Sequence, residues 1–260
     1  MPNIVPSTPI TYAPCDQLQA MGVETISDIP ADFDLTAIQE RIRRSVLTGR
    51  PWQSSELAGA LEEPNWPLYH LDFEAWQPAL PPYPGMRPFH AIPFQFSLHV
   101  EQADGSLGHD EYLHEENSDP RRPVAEALLK ALGETGSIVV YSGYERRMIN
   151  LLADYLPDLR EPLLALTDRL WDLLPVVRDH YYHPDFRGSF SIKNVLPALL
   201  PDEGWDDLEI TDGQEAAILY EQARAADDPE VRVSTFKNLR AYCRQDTLAM
   251  VKLMRALRSV

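Results

Sequence analysis

Cysteine is nearly absent: the 260 residues hold only Cys15 and Cys243. Two thiols exclude a disulfide framework, and they exclude a Cys-only structural zinc site, which wants four ligands. Long apolar runs are missing as well. No stretch reaches the ~18 consecutive apolar residues of a membrane helix, and the opening residues 1–10 carry neither a basic leader nor an apolar core. The expectation is a cytoplasmic protein with no membrane contact. Positive charge is scarce, with 23 Lys and Arg against 40 Asp and Glu and a net charge of −17. Such a balance opposes non-specific attraction to nucleic acid or anionic lipid. An acidic chain can still act on a polyanion where divalent cations neutralise clustered carboxylates and a few local Arg and Lys residues hold phosphates. The His-x-x-x-His spacing is missing too; the densest polar group around a His, Tyr181-Tyr-His183-Pro-Asp185, reads as a structured loop.

What is present is globular: 44% hydrophobic and 24% charged residues. Residues 1–65 are Pro-rich and read as a helical or linker appendage, with helices expected at Cys15–Met21, Leu35–Leu47 and Ser54–Leu61. Within it, Leu18 to Pro30 has the form of a helix-hairpin-helix element, with a Gly22 turn and a second start capped by Ser27 or Asp28. It contains no Lys or Arg to meet a phosphate. Residues 66–260 read as the main domain. Pro67-Leu-Tyr-His-Leu-Asp-Phe-Glu74 is a short apolar run ending in carboxylates, as a buried strand would be. Ala91–Val100 and Leu107–Leu113 flank an Asp104-Gly105 turn and predict an antiparallel hairpin. A helix is expected over Pro123–Leu132, a strand over Ser137–Tyr141 and a helix over Glu145–Tyr155. Further helices are expected over Pro162–Leu174, Ile192–Leu200, Gln214–Ala225 (capped near Asp212) and Val231–Leu257. Strands first, then helices with one βα unit, predict an α/β layer structure around a mixed sheet.

Three groups of residues can carry chemistry. Asp72 and Glu74 stand at i and i+2 on one face of a strand. Side by side they repel, unless they share a divalent metal for which carboxylate oxygens are suited; a solvated strand end is the other reading. Glu145 opens a helix after a strand and a Ser142-Gly143 turn, where an acid also serves simply to offset the helix dipole. Tyr242 and Asp246 are four residues apart on one helix face, with Leu239, Cys243 and Met250 as a core-facing stripe. Asp172 is a further acid that could supplement the group.

Taken in order, D-x-E on an early strand, an acid opening a mid-chain helix and Y-x-x-x-D on a late helix resemble the three motifs of the DEDD superfamily of 3′–5′ exonucleases, in its Tyr variant. Residues 66–257, through His70-Leu-Asp-Phe-Glu74, Gly188-Ser-Phe-Ser-Ile-Lys-Asn194 and Tyr242-Cys-Arg-Gln-Asp-Thr247, are also similar to a bacterial family assigned to this RNase H-like fold. That family often follows a RecB-like nuclease domain. The resemblance implies an RNase H-like mixed sheet flanked by helices. It implies two Mg²⁺ or Mn²⁺ ions held by Asp72, Glu74, Glu145 and Asp246, with Asp72 bridging them, and Tyr242 orienting or deprotonating the attacking water. The implied reaction is phosphodiester hydrolysis on a single-stranded DNA or RNA substrate. Arg146, Arg147, Lys193 and Arg244 become candidates to contact the backbone, and Phe73 and Trp76 to stack on the terminal base. A RecB-like nuclease is the implied partner or fused domain. One departure from the pattern is Glu145, where most such enzymes have Asp: a side chain one methylene longer must retract its backbone. Two alternatives stand beside this: a catalytically weak nucleic-acid-binding or scaffolding module with the same fold, and a hydrolase of small phosphoesters.

Overall fold

The computed structural model describes residues 13–260. Contacts divide it into two compact units. One comprises the described residues through Glu63 with Leu174–Glu203 and Arg255–Val260; the other comprises Pro64–Leu173 and Gly204–Met254. Residues 174–203 and 255–260 group with the N-terminal segment.

The larger unit is mixed α/β. Its strands are β1 (Leu68–Trp76), β2 (Ile92–Glu101), β3 (Leu107–Leu113), β4 (Ser137–Val140) and β5 (Leu170–Asp172). Its helices are α1 (Arg121–Ala131), α2 (Tyr144–Tyr155), α3 (Arg160–Thr167), α4 (Gly213–Ala225) and α5 (Pro229–Leu257), the last running on past Met254. The sheet order is β3-β2-β1-β4-β5. β1–β2 and β2–β3 are antiparallel; β1–β4 and β4–β5 are parallel. The Asp104-Gly105 turn closes the β2–β3 hairpin, with Gly105 at φ 85° and the Ser106 amide donating to Asp104 Oδ1 at 2.9 Å. β5 was not expected: Leu170-Trp-Asp172 lies inside the segment read as one helix, and the chain instead breaks after Thr167, forms three strand residues and starts a new helix at Leu173.

Alternation along the strands sends side chains to two different covers. Tyr69, Leu71, Phe73 and Ala75 of β1 join Phe96, Leu98, Ile138 and Val140 against Val124, Leu128, Met148, Ile149, Leu152 and Leu163 of α1, α2 and α3. The opposite face is polar yet also buried. His70, Asp72 and Glu74 stand beside their cross-strand partners His99, Ser97 and Gln95, and α5 lies over them. Gln95 Nε2 donates to the Leu239 carbonyl at 3.0 Å, and the Thr247 hydroxyl meets both Ser97 Oγ and His99 Nδ1 at 2.8 Å. Period-two patterning in these strands thus separates an apolar neighbour from a polar one, with helices covering both faces.

A bulge on β2 between the pairs Glu74–Gln95 and Ala75–Pro93 leaves Phe94 as the extra residue. Phe94 stacks on Tyr220 of α4 with ring centroids 3.7 Å apart, and the Tyr220 hydroxyl donates to the His114 carbonyl at 2.9 Å. These contacts anchor α4, whose first turn is capped by Asp212 accepting from the Gln214 and Glu215 amides.

In the other unit, the helix Ala37–Thr48 starts on a Thr36/Gln39 capping box and ends at Gly49 in the left-handed region. Its Arg41 donates to the carbonyls of Arg178 and Asp179 and lies over the Trp52 ring. Trp52–Gln53 pairs antiparallel with Tyr181–Tyr182. The hairpin-like N-terminal stretch is a helix Ala13–Ala20, a Gly22 turn at φ 74° and one 3₁₀ turn, Ile26–Asp28. Neither Ser27 nor Asp28 starts a second helix: Thr25 is the cap, and Asp28 is its partner.

Candidate metal centre

The acid residues come together from four elements. β1 delivers Asp72 and Glu74 to its polar face. α2 delivers Glu145 from its first turn, buried at 3% exposure. α5 delivers Tyr242 and Asp246 from one face, and the end of β5 delivers Asp172. The Asp172 carboxylate accepts the Ser142 amide at 3.0 Å and so holds the β4–α2 turn, where Ser142 takes a left-handed φ of 128°. A non-glycine residue in that region carries backbone strain, which surrounding structure has to hold in place.

The electrostatics show how tightly the group is drawn. Burial, then the charges of Asp246, Glu74 and Glu145, push the Asp72 carboxyl well above its usual range. Burial, with Asp172 and Asp246 adding repulsion, pushes Glu145 up to about 8. Glu145 Oε2 is buried and has no hydrogen-bond partner among the described residues. Burial and the charges of Asp246, Glu74 and Asp72 also raise the Tyr242 phenol, so it keeps its proton. Asp246 Oδ1 accepts from the Trp205 indole at 2.8 Å, and the Gln245 amide donates to the Gly204 carbonyl at 2.7 Å, tying the Gly204–Trp205 loop to α5. A Cβ placed on Gly213 would lie 3.5 Å from Glu74 Oε2, so α4 starts close against that carboxylate. Cys243 is buried, and its thiol meets Asp72 Oδ2 at 3.7 Å and the Asp72 carbonyl at 3.8 Å. Donor atoms of Asp72, Glu74 and Cys243 all lie within 4.8 Å of one another.

A family model described as a domain of unknown function, DUF2779, matches residues 69–191. That span includes Asp72, Glu74, Glu145 and Asp172 and ends before Trp205, Tyr242 and Asp246. No curated protein and no solved structure matches the chain.

The candidate substrate-binding residues divide. Phe73 is 2% exposed and sits in the apolar core, in edge contact with Phe96, because its odd position in the strand points it away from the acids. It is not available to stack on a base. Trp76 shares the acids' face but is buried against Tyr220, with the Arg224 guanidinium over its ring at 5.1 Å. It too is closed to a base. Arg146 and Arg147 are exposed on α2, Arg147 lying over the Tyr144 ring. Arg244 is exposed on α5, and its charge bears on His99 and His109. Lys193 belongs to the other unit, on the helix Ile192–Leu199. His183 is there as well, capping a 3₁₀ turn by accepting the Asp185 amide.

Trp205 and the Cys243 thiol were not legible as parts of the site. Trp205 sits in a loop with no pattern of its own. Cys243 had a signal in its spacing, since it lies three residues before Asp246 on the same helix face. A core-facing role explained that spacing equally well.

Proposed function

We propose that this protein is a metal-dependent 3′–5′ exonuclease of the RNase H-like, DEDD type, hydrolysing phosphodiester bonds of single-stranded nucleic acid. The observation that carries the reading is the convergence of Asp72, Glu74, Glu145 and Asp246 in one mutually repelling group, with Glu74 and Glu145 buried and Glu145 Oε2 without a hydrogen-bond partner among the described residues. A buried like-charge cluster is costly unless a cation neutralises it, and all-oxygen donors suit Mg²⁺ or Mn²⁺. The strand order β3-β2-β1-β4-β5, with an antiparallel three-strand meander followed by β4 and β5 parallel to β1, supports the RNase H-like assignment. Asp72, Glu74, Glu145 and Asp246 are the residues that would hold two divalent ions. When bound, such ions supply an activated water and stabilise charge on the departing 3′ oxygen.

The chain's own groups do the rest. Tyr242, its phenol raised by burial and by its acidic neighbours, donates a hydrogen bond that orients the attacking water. Trp205 holds Asp246 Oδ1 and so fixes that carboxylate's rotamer. Asp172 fixes the turn that presents Glu145. With Phe73 and Trp76 buried, base stacking falls to other groups, and exposed Arg146 and Arg147 remain candidates for the phosphates.

The test is release of mononucleotides from a labelled single strand in Mn²⁺, with Asp72→Asn and Asp246→Asn both inactive. Activity that persists in both variants defeats the proposal. Binding of the strand without turnover at any Mn²⁺ concentration would favour a scaffolding module, and turnover confined to a nucleotide ester would favour a small-phosphoester hydrolase.

A further inference from the structure

Asp72, Glu74 and Cys243 form a donor set that an all-oxygen centre does not need. The Cys243 thiol is buried and is the single sulfur in the group. Its Sγ stands 3.7 Å from Asp72 Oδ2. A tetrahedral ion with a metal–sulfur bond of about 2.3 Å and a metal–oxygen bond of about 2.1 Å has a sulfur–oxygen edge of about 3.6 Å. An octahedral ion with the same bond lengths would draw the two atoms to about 3.1 Å. The spacing on β1 and α5 is therefore already that of a tetrahedral edge, with the thiol proton where the ion would sit. The Glu74 donor lies within 4.8 Å of both. Independently, Glu145 lies within hydrogen-bond reach of Asp72 and carries the buried, unpartnered Oε2, an oxygen with no assigned neighbour.

We infer that Cys243 is a metal ligand, and that the Asp72, Glu74 and Cys243 end of the centre takes a thiophilic divalent ion such as Zn²⁺, Co²⁺ or Cd²⁺ in preference to Mg²⁺. This rests on the reading of the acids as a metal centre and adds which class of ion one end of it selects. The chemistry is direct. A thiolate is a soft donor that favours Zn²⁺ and its congeners, whereas Mg²⁺ takes oxygen and keeps its waters. On binding, the S–H bond breaks, the metal–sulfur bond forms and one proton leaves to solvent, with no change of oxidation state.

The experiment is titration of Cd²⁺ alone into chelator-treated full-length protein. Binding heat and the sulfur-to-cadmium charge-transfer absorption are followed together, and Mn²⁺-dependent strand hydrolysis is assayed separately. The expected result is one equivalent of absorption, kept in Cys15→Ser and lost in Cys243→Ser. Cd²⁺ affinity in Cys243→Ser should fall by at least the roughly 10–100-fold that outer-sphere partners alone command. Should Cys243→Ser fail to fold, a cadmium–sulfur shell in X-ray absorption of the loaded Cys15→Ser protein reads the same contact. Cd²⁺ binding without a sulfur signal, or a signal indifferent to Cys243→Ser, overturns the thiol ligand while leaving the carboxylate centre standing. Absence of both Cd²⁺ and Mn²⁺ binding overturns the thiol ligand and the centre together.

Discussion

Replacing Asp72 by Asn should inactivate the protein and stabilise its metal-free form at the same time. The donor atoms of Asp72 and Glu74 lie within 4.8 Å. At an effective dielectric near 20, two unit charges that far apart repel by roughly 3 kcal/mol. Incomplete ionisation of the group reduces this, so relief of about 1–3 kcal/mol is expected from one neutralised carboxylate. For a chain of this size that is a rise of about 2–10 °C in the unfolding midpoint. The pH dependence fixes the sign. Glu145 titrates near 8 when folded against an ordinary 4.5, so the folded state holds the extra proton between those values. The contribution of this group to stability is then fully present below about pH 4.5 and is lost as pH rises toward 8. The gain from Asp72→Asn should accordingly be large at pH 8 and near zero at pH 4.5. Unfolding followed by circular dichroism in chelator at both pH values measures it, with oligonucleotide hydrolysis in Mn²⁺ as the second readout. A variant less stable than wild type at pH 8, or a difference indifferent to pH, would refute the repelled cluster.

Saturating Mn²⁺ should reverse the wild-type loss at pH 8, by about 2.7 kcal/mol at a hundredfold excess over its dissociation constant, and should leave Asp72→Asn unmoved in the same thermal scans. Trp205→Phe keeps the ring and removes the donor to Asp246 Oδ1; Mn²⁺ affinity by calorimetry should fall by roughly 10–100-fold. Tyr242→Phe removes a hydroxyl that is not a metal donor, so kcat should drop by about 10²-fold or more while Mn²⁺ affinity holds. Equal loss of both in Tyr242→Phe would mean that Tyr242 packs the site and does not orient water.

Much of this architecture was legible along the chain. β1 announced itself through an apolar run closed by Asp72 and Glu74, and α5 through long helical spacing. The Asp104-Gly105 turn placed the β2–β3 hairpin to within a residue. What was not legible depended on partners far away in the chain. Leu170-Trp-Asp172 is a strand because it pairs with Ile138–Val140; its two apolar residues continue the neighbouring helical spacing and carry no signal of their own. The polar residues of β1 and β2 imply two unlike faces, and nothing local says that a helix covers the second. The acids at 72, 74, 145 and 246 were readable as a set only through their order. Cys243 and Trp205 join them through contacts across 171 and 41 residues.

The cover on that second face also sets where Asp246 stands, and Thr247 tests it. The Thr247 hydroxyl has one proton and lies 3.1 Å from the Arg244 carbonyl. Donating there, it must accept from Ser97 Oγ and from His99 Nδ1. His109 Nε2 then donates to Ser97 at 3.0 Å. This assignment uses every proton once and puts ring protons on His99 Nδ1 and His109 Nε2; burial, with neighbouring positive charge, lowers the His99 pKa to about 3, so that ring is neutral. Thr247→Val preserves the shape and leaves two buried donors without an acceptor, at a cost of about 1–3 kcal/mol. Thr247 is adjacent to Asp246, so loosening this register should also blur the carboxylate's position and weaken Mn²⁺ binding in a protein that is still folded at 25 °C. Urea unfolding and Mn²⁺ calorimetry on the same sample separate the two effects. A destabilised Thr247→Val protein that binds Mn²⁺ as tightly as wild type would mean that Trp205 alone positions Asp246, and that the Ser97, His99 and Thr247 network serves only to seat the helix.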